Sequence, residues 1–387
     1  MSGTGLRIGL LRLTDAAPVI TAHEFGFFAE EGLDVELSVE PSWANIADKL
    51  AFGFLDAAVI VPPLAFAITL GLRGMAQPLV IPHILSLSGN MVTLKADLAA
   101  KVRAAAAREG SIMPQALATV LRADKAEPLT LGIVHAYSTH NLLLRYWLAA
   151  GGIDLQTEVK LTVVPPAQAV EALSAGQIAG FCAGAPWGDV AERAGVGAAI
   201  AASKDIWQNA PEKAFAVRSN WAEDHPEALQ GALRALLRAA RFCDAPENAS
   251  YTGALLSRRK YLNVDAHAIL SSLPGGAAAR AGVSSFYRNA ATFPWRSHAL
   301  WFLQEMKRWG LLDPAIDTRV LAMNVYRPDL YRSAATSLDL PAPLMDVKSE
   351  GAHASEWQLA TMRGPIDMGP DLFCDGAIFE PGSREDL

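Results

Sequence analysis

The sequence predicts an α/β protein of two lobes, and three observations carry that prediction. Its 387 residues exceed one ordinary core and fall short of three, because domains run about 100 to 200 residues. Hydrophobic residues make up 51% and charged residues 19%, enough to bury large cores and too apolar for disorder over most of the length. Strand and helix signals alternate in two separate stretches, one before and one after Met91, the pattern of α/β units.

In the first stretch Leu6 to Leu13 reads as a strand and Thr14-Asp15-Ala16-Ala17-Pro18 as a turn. A helical segment then leads to Gly26-Phe27-Phe28-Ala29-Glu30-Glu31-Gly32. Val35 to Val39 is the next strand, with a helix after Pro41-Ser42. Ala57 to Val61 is the third, stopping at Pro62-Pro63 before another helix. Ligands of open α/β lobes gather at the carboxyl ends of strands, which directs attention to the turns after Leu13, Val39 and Val61. Leu98 to Val120 reads as alanine-rich helix with breaks at Gly110 and Pro114. Strands at Leu129–Val134 and Val159–Val164 then alternate with helices at Asn141–Ala150 and Ala167–Ala175. A strand-like return at Ala214–Val217 predicts that the chain recrosses near 214–218, and helices dominate from Asp224 to Met306. Beyond Leu340 proline and glycine punctuate a stretch of little periodicity, read as a tail that wraps a lobe or is partly disordered. The predicted division is 1–88 and 215–340 for the first lobe, 89–214 for the second, and 341–387 for the tail.

A formal net charge of -7 gives no general attraction to nucleic acid or to an anionic membrane surface. The opening Leu6-Arg7-Ile8-Gly9-Leu10-Leu11 is too short for a signal-peptide core and is interrupted by Arg7. The longest apolar run, Ala57 to Leu72, is broken by two prolines and falls short of the roughly 20 residues that span a bilayer. Cys182, Cys243 and Cys374 are widely spaced, which suits a reducing compartment and offers no zinc site. Cytoplasmic residence is the resulting expectation. Phosphate-binding glycine loops, Gly-x-Ser-x-Gly and His-Glu-x-x-His are absent, which weakens the case for catalysis, and no cofactor or metal is expected.

Several segments, taken in order, resemble one family. They are Thr14-Asp15-Ala16-Ala17-Pro18 with Gly26–Gly32, Ser42-Trp43, Ser138-Thr139-His140-Asn141 with Leu144–Ile153, and Phe181–Trp187. Ile206–Ala214, Ser297–Leu303 and Phe373–Phe379 continue the series. As a set they are similar to the nitrate- and bicarbonate-binding proteins of bacterial ABC importers. The resemblance implies a periplasmic-binding-protein-like fold of the second class, two α/β lobes around a ligand cleft. It also implies a nitrate site at Trp43, Asn90, His140, Gly184 and Lys213. Asn90 stands where the importers commonly have glutamine, and Ala185 where they tend to place an acidic residue.

Those residue types suit nitrate, a planar monoanion that accepts hydrogen bonds around its edge and donates none. Such a site needs donors and one net positive charge, here from Lys213, with a ring N–H from His140, an amide from Asn90, an indole N–H or apolar wall from Trp43, and close backbone approach at Gly184. Each has a plainer alternative. Trp43 could be core, Lys213 a solvated lysine, His140 a helix-start cap and Gly184 a turn glycine. Thr14 and Asp15 can line the cleft, with a turn cap as the simpler role.

Two functional readings follow from the resemblance. One is a cytoplasmic nitrate/nitrite sensor of the NasS type that holds or releases an RNA-binding antiterminator, a NasT-like partner. The other is the substrate-binding subunit of a nitrate importer. An enzyme on this fold, such as a thiamine-pyrimidine synthase, would need a cysteine- and histidine-rich iron site that the sequence lacks.

Overall fold

Two five-stranded sheets organise the computed structural model, which describes residues 4–124, 127–276 and 283–382. The first sheet is built from β1 (Thr4–Leu10), β2 (Leu33–Val39), β3 (Ala57–Ile60) and β4 (Leu79–Leu87). The second holds β5 (Asn90–Lys95), β6 (Leu129–Ile133), β7 (Val159–Val163), β8 (Gly180–Gly184) and β9 (Gly197–Ala202). The chain then returns through β10 (Pro211–Arg218) to the first sheet, whose order is β2-β1-β3-β10-β4. The second runs β7-β6-β8-β5-β9. The fold class is therefore α/β, with the strands of each sheet parallel except where β10 and β5 insert antiparallel.

Strands β3, β4 and β8 are buried along their whole length and β10 along all but its last residue. That is the condition of a sheet covered on both faces by helices. The longest cover is the helix Pro226–Asp244, which buries Leu229, Leu233, Leu236 and Leu237 on one stripe.

Several elements depart from the sequence expectation. The first strand ends at Leu10, and Thr14–Ala16 forms a 3-10 turn running into the helix Ala17–Glu24. Gly110, at φ 63°, ends the helix Ala96–Glu109, but Pro114 sits in the first turn of the helix Met113–Asp124. There a proline's missing N–H costs nothing. The return strand starts at Pro211, so the recrossing precedes 214–218.

The two sheets meet at a pair of adjacent crossings. Ser88 and Gly89 carry the outward crossing at φ 63° and 93°. A Cβ on Gly89 would lie 2.5 Å from Ser284 Oγ, so glycine answers both the backbone and the space. Ser88 N–H donates to the Ala210 carbonyl at 2.7 Å, joining the outward crossing to the return. The tail adds a third strand of contact: Gln208 N–H donates to Leu372 O, Cys374 N–H to Ile206 O, and the rings of Trp207 and Phe373 stack at 4.8 Å. Its far end forms a short hairpin of β11 (Trp357–Leu359) and β12 (Ile366–Met368). Residues Met1–Gly3 and the last five of the predicted tail lie outside the described residues.

Candidate functional site

The chamber between the sheets is assembled from element ends. Ser42 caps the helix Trp43–Ala51 by accepting the Asn45 N–H, which sets Trp43 at its first position, just after β2. Ser138 caps the helix Thr139–Ala150 in the same way through Asn141 N–H at 3.1 Å. His140 is thus freed from the capping role and points into the interior, with no exposure. Asn90 and Gly184 are direct partners across the β5–β8 ladder, at the end of the second sheet that faces the first.

Lys213 arrives through an irregularity. The pairing of β10 with β4 shifts on both sides of Lys213, and Glu212 is the extra residue without a partner in that ladder. Consecutive side chains of a regular strand point to opposite faces, whereas a bulge re-aims one of them. Here Glu212 and Lys213 turn to the same side and pair with each other.

All five residues expected from the sequence come together in this chamber, but two carboxylates join them. Lys213 Nζ lies 2.8 Å from Asp15 Oδ2 and also pairs with Glu212 Oε1. Asn90 Nδ2 donates to Glu212 Oε2, and His140 Nε2 lies 3.4 Å from Glu212 Oε1 without a hydrogen bond. The Lys213 ammonium sits 5.6 Å from the Trp43 ring centroid. A Cβ on Gly184 would stand 3.3 Å from Asp15 Oδ2 and 3.5 Å from Asn90 Oδ1, so the glycine leaves room for the facing wall.

The expectation of one net positive charge is corrected by this arrangement. Asp15 and Glu212 outnumber Lys213, the one lysine or arginine that is buried among the described residues. Asp15 is also not a turn cap, since its carboxylate contacts Lys213. A buried lysine demands a counter-charge, and that demand is the signal by which Asp15 and Glu212 could have been sought.

Burial sets the electrostatics. It pushes the Glu212 carboxyl up to about 7, against the opposing pull of Lys213 and the Asn90 amide. Burial raises Asp15 as well, more than Lys213 lowers it. For Lys213 burial works against the charge, yet the two carboxylates outweigh it and raise its pKa. His140 is held well below its ordinary value by burial and by Lys213, so it is a neutral ring with one N–H. Its 3.4 Å approach to Glu212 is accordingly no ion pair.

Unpartnered polar atoms concentrate here: Trp43 Nε1, both His140 nitrogens, Asn90 Oδ1, Asp15 Oδ1, and Ser86 Oγ beside Lys213 in the ladder. Each unmet buried polar atom costs about 1 to 3 kcal/mol, so a cluster of them marks a place built to satisfy something polar. Trp43 is at once core and unsatisfied donor.

The chamber is shut. Thr14 N–H of the first lobe donates to the Ala185 carbonyl of the second at 2.9 Å. Trp187 Nε1 donates to Arg12 O at 3.1 Å across the same seam. Lys213 is thereby sealed from solvent, with contacts from both sheets closing the seam beside it.

Residues 2–257 match the NMT1-like family. The "Nitrate/nitrite binding protein NrtA" of Nostoc sp. is 32% identical over 99% of this chain and 84% of its own length. The "Nitrate import ATP-binding protein NrtC" of Synechocystis sp. is 35% identical over 88% of this chain. The chain spans only 52% of that relative. Among solved structures, the periplasmic nitrate-binding protein NrtA from Synechocystis superposes with a TM-score of 0.83 at 30% identity, covering 98% of this chain and 96% of that one.

Proposed function

The chain belongs to the NMT1-like family and aligns with nitrate-binding relatives along nearly its whole length. From that premise we propose that it binds nitrate or nitrite between its lobes as the substrate-binding component of an importer. The observation that carries the reading is the setting of Lys213: one buried cation, enclosed by both sheets, beside the unpartnered N–H of Trp43 and the neutral ring of His140. Trp43, Asn90, His140, Gly184 and Lys213 are the ligand-binding residues in this proposal. The importer takes precedence over the sensor because one relative is named as a nitrate-import protein and another as a nitrate/nitrite-binding protein, and neither as a sensor.

Calorimetric titration with nitrate, nitrite, bicarbonate and sulfate tests the ligand class. Charge-assisted hydrogen bonds contribute about 1.5 to 3 kcal/mol each, so three or four support a micromolar Kd. Tight bicarbonate binding without a nitrate signal would overturn the assignment.

The sensor reading, a cytoplasmic protein controlling a NasT-like antiterminator, draws support from three cysteines that are all free thiols. Nitrate-dependent association with a purified antiterminator favours it. Nitrate-dependent stimulation of a reconstituted importer's ATPase favours the transport role.

A further inference from the structure

Every donor that the anion reading assigns to the ligand, apart from the Trp43 indole, already faces one internal carboxylate. Lys213 from β10 and Asn90 from β5 bond the two oxygens of Glu212, and His140 from the helix Thr139–Ala150 stands 3.4 Å away. A carboxylate is a planar, charge-delocalised group with acceptor oxygens on its edge, the same recognition chemistry as nitrate or nitrite. We propose that Glu212 is a built-in competitor for the oxyanion, and that an incoming anion displaces it while the carboxyl takes up a proton. The proposal rests on reading this chamber as the anion site.

Geometry supplies the acceptors for the protonated state. Asn90 Oδ1 is buried and unpartnered. A half-turn of the amide exchanges Nδ2 for Oδ1 opposite Glu212 Oε2, where that oxygen can accept the new O–H of the protonated carboxyl. Asp15 Oδ1 is a second unpartnered acceptor in the same chamber.

Charge gives the reason for the proton. With Asp15 and Glu212 both ionised the chamber is net negative despite Lys213, and a monoanion entering it meets repulsion. Protonating one carboxyl makes it neutral. The groups facing Glu212 are Asp15 from the turn after β1, Lys213 from β10, Asn90 from β5, the neutral His140, and the Cys182 thiol of β8. Burial pushes that thiol far above neutrality, so it contributes no charge. Of the two carboxyls, Asp15 engages Lys213 alone, whereas Glu212 engages both Lys213 and Asn90. The position of Glu212 near 7 puts the exchange within the ordinary pH range.

Nitrate titration by calorimetry at about pH 6.5 and about pH 8.5, each in two buffers of different ionisation enthalpy, counts the protons taken up. For the unaltered protein, affinity is expected to fall by about ten-fold per pH unit well above neutrality, with about one proton absorbed per nitrate. Glu212→Gln, which keeps shape and removes the charge, is expected to bind more tightly than the parent at the higher pH and to lose the pH dependence. Nitrate binding by the parent with no uptake and no pH dependence overturns this inference and leaves the anion site standing, as does uptake that survives in Glu212→Gln. Absence of nitrate binding at both pH values in both proteins removes the anion site itself, and this inference with it.

Discussion

Replacing Lys213 by methionine keeps the aliphatic stem and deletes the charge that two buried carboxylates share. The ammonium lies 2.8 Å from Asp15 Oδ2 and also pairs with Glu212 Oε1, with no exposure of its own. At an effective dielectric near ~20, one such pair attracts by about 6 kcal/mol before desolvation is counted. Desolvation offsets much of that, and removing one member of a buried pair costs about 3 to 5 kcal/mol net. The loss is expected to depend on pH in a definite direction. Asp15 and Glu212 already have raised pKa values, and without Lys213 they rise further. Above the unfolded carboxylate pKa of about 4, the folded state then binds more protons than the unfolded one, so stability falls as pH rises towards the raised values. Urea denaturation of the Lys213→Met protein should therefore show the full deficit at about pH 8 and a much smaller one at about pH 5. Nitrate binding should vanish, as it should in Lys213→Glu. A variant as stable as its parent at the higher pH, or equally impaired at both, refutes the charge accounting.

Three further outcomes test the walls of the chamber. Gly184→Ala places a methyl 3.3 Å from Asp15 Oδ2 and is expected to weaken nitrate binding with the unfolding midpoint little changed. The calorimetric Kd should rise about ten-fold. Trp43→Phe removes the unpartnered indole N–H while keeping the ring, so a donor role predicts a loss of about 0.5 to 1.5 kcal/mol in affinity, and equal affinity reduces Trp43 to an apolar wall. Trp187→Phe breaks the 3.1 Å bond to Arg12 O across the seam and should shift small-angle scattering towards a larger radius of gyration, which nitrate then reverses.

Legibility in the sequence followed local signal. Ala57–Val61 and Leu129–Val134 stand out as apolar runs bounded by turn residues, and β3 and β6 form there. β9 escapes notice because Gly-Ala-Ala-Ile-Ala-Ala carries helix-forming residues, and only pairing with β5 makes it a strand. β4 contains Pro82, ordinarily a mark against a strand interior; β4 lies at the edge of its sheet, and the proline falls where the pairing with β10 shifts between Phe215 and Val217. The five residues proposed for the anion site were legible through resemblance alone, since each alone has a plainer reading. Asp15 was legible as a residue that could line the cleft or cap a turn, but Glu212 was not, because a glutamate beside a lysine looks like a solvated pair until the fold buries both. Burial is decided by partners far along the chain, here β4, β5 and the helix beginning at Thr139.

The irregularity in β10 has a consequence for how such a protein changes its ligand. A regular strand would send residues 212 and 213 to opposite faces, and only one of them could address the chamber. With both turned inward, two of the three charged residues of the chamber are consecutive in the chain and share one stretch of backbone. Exchanging acid for base at position 212, or base for acid at position 213, moves the charge of the chamber by up to two units. A binding protein with this device can be retargeted between anions of different charge, or towards a cation, by substitutions too small to leave a trace in its fold.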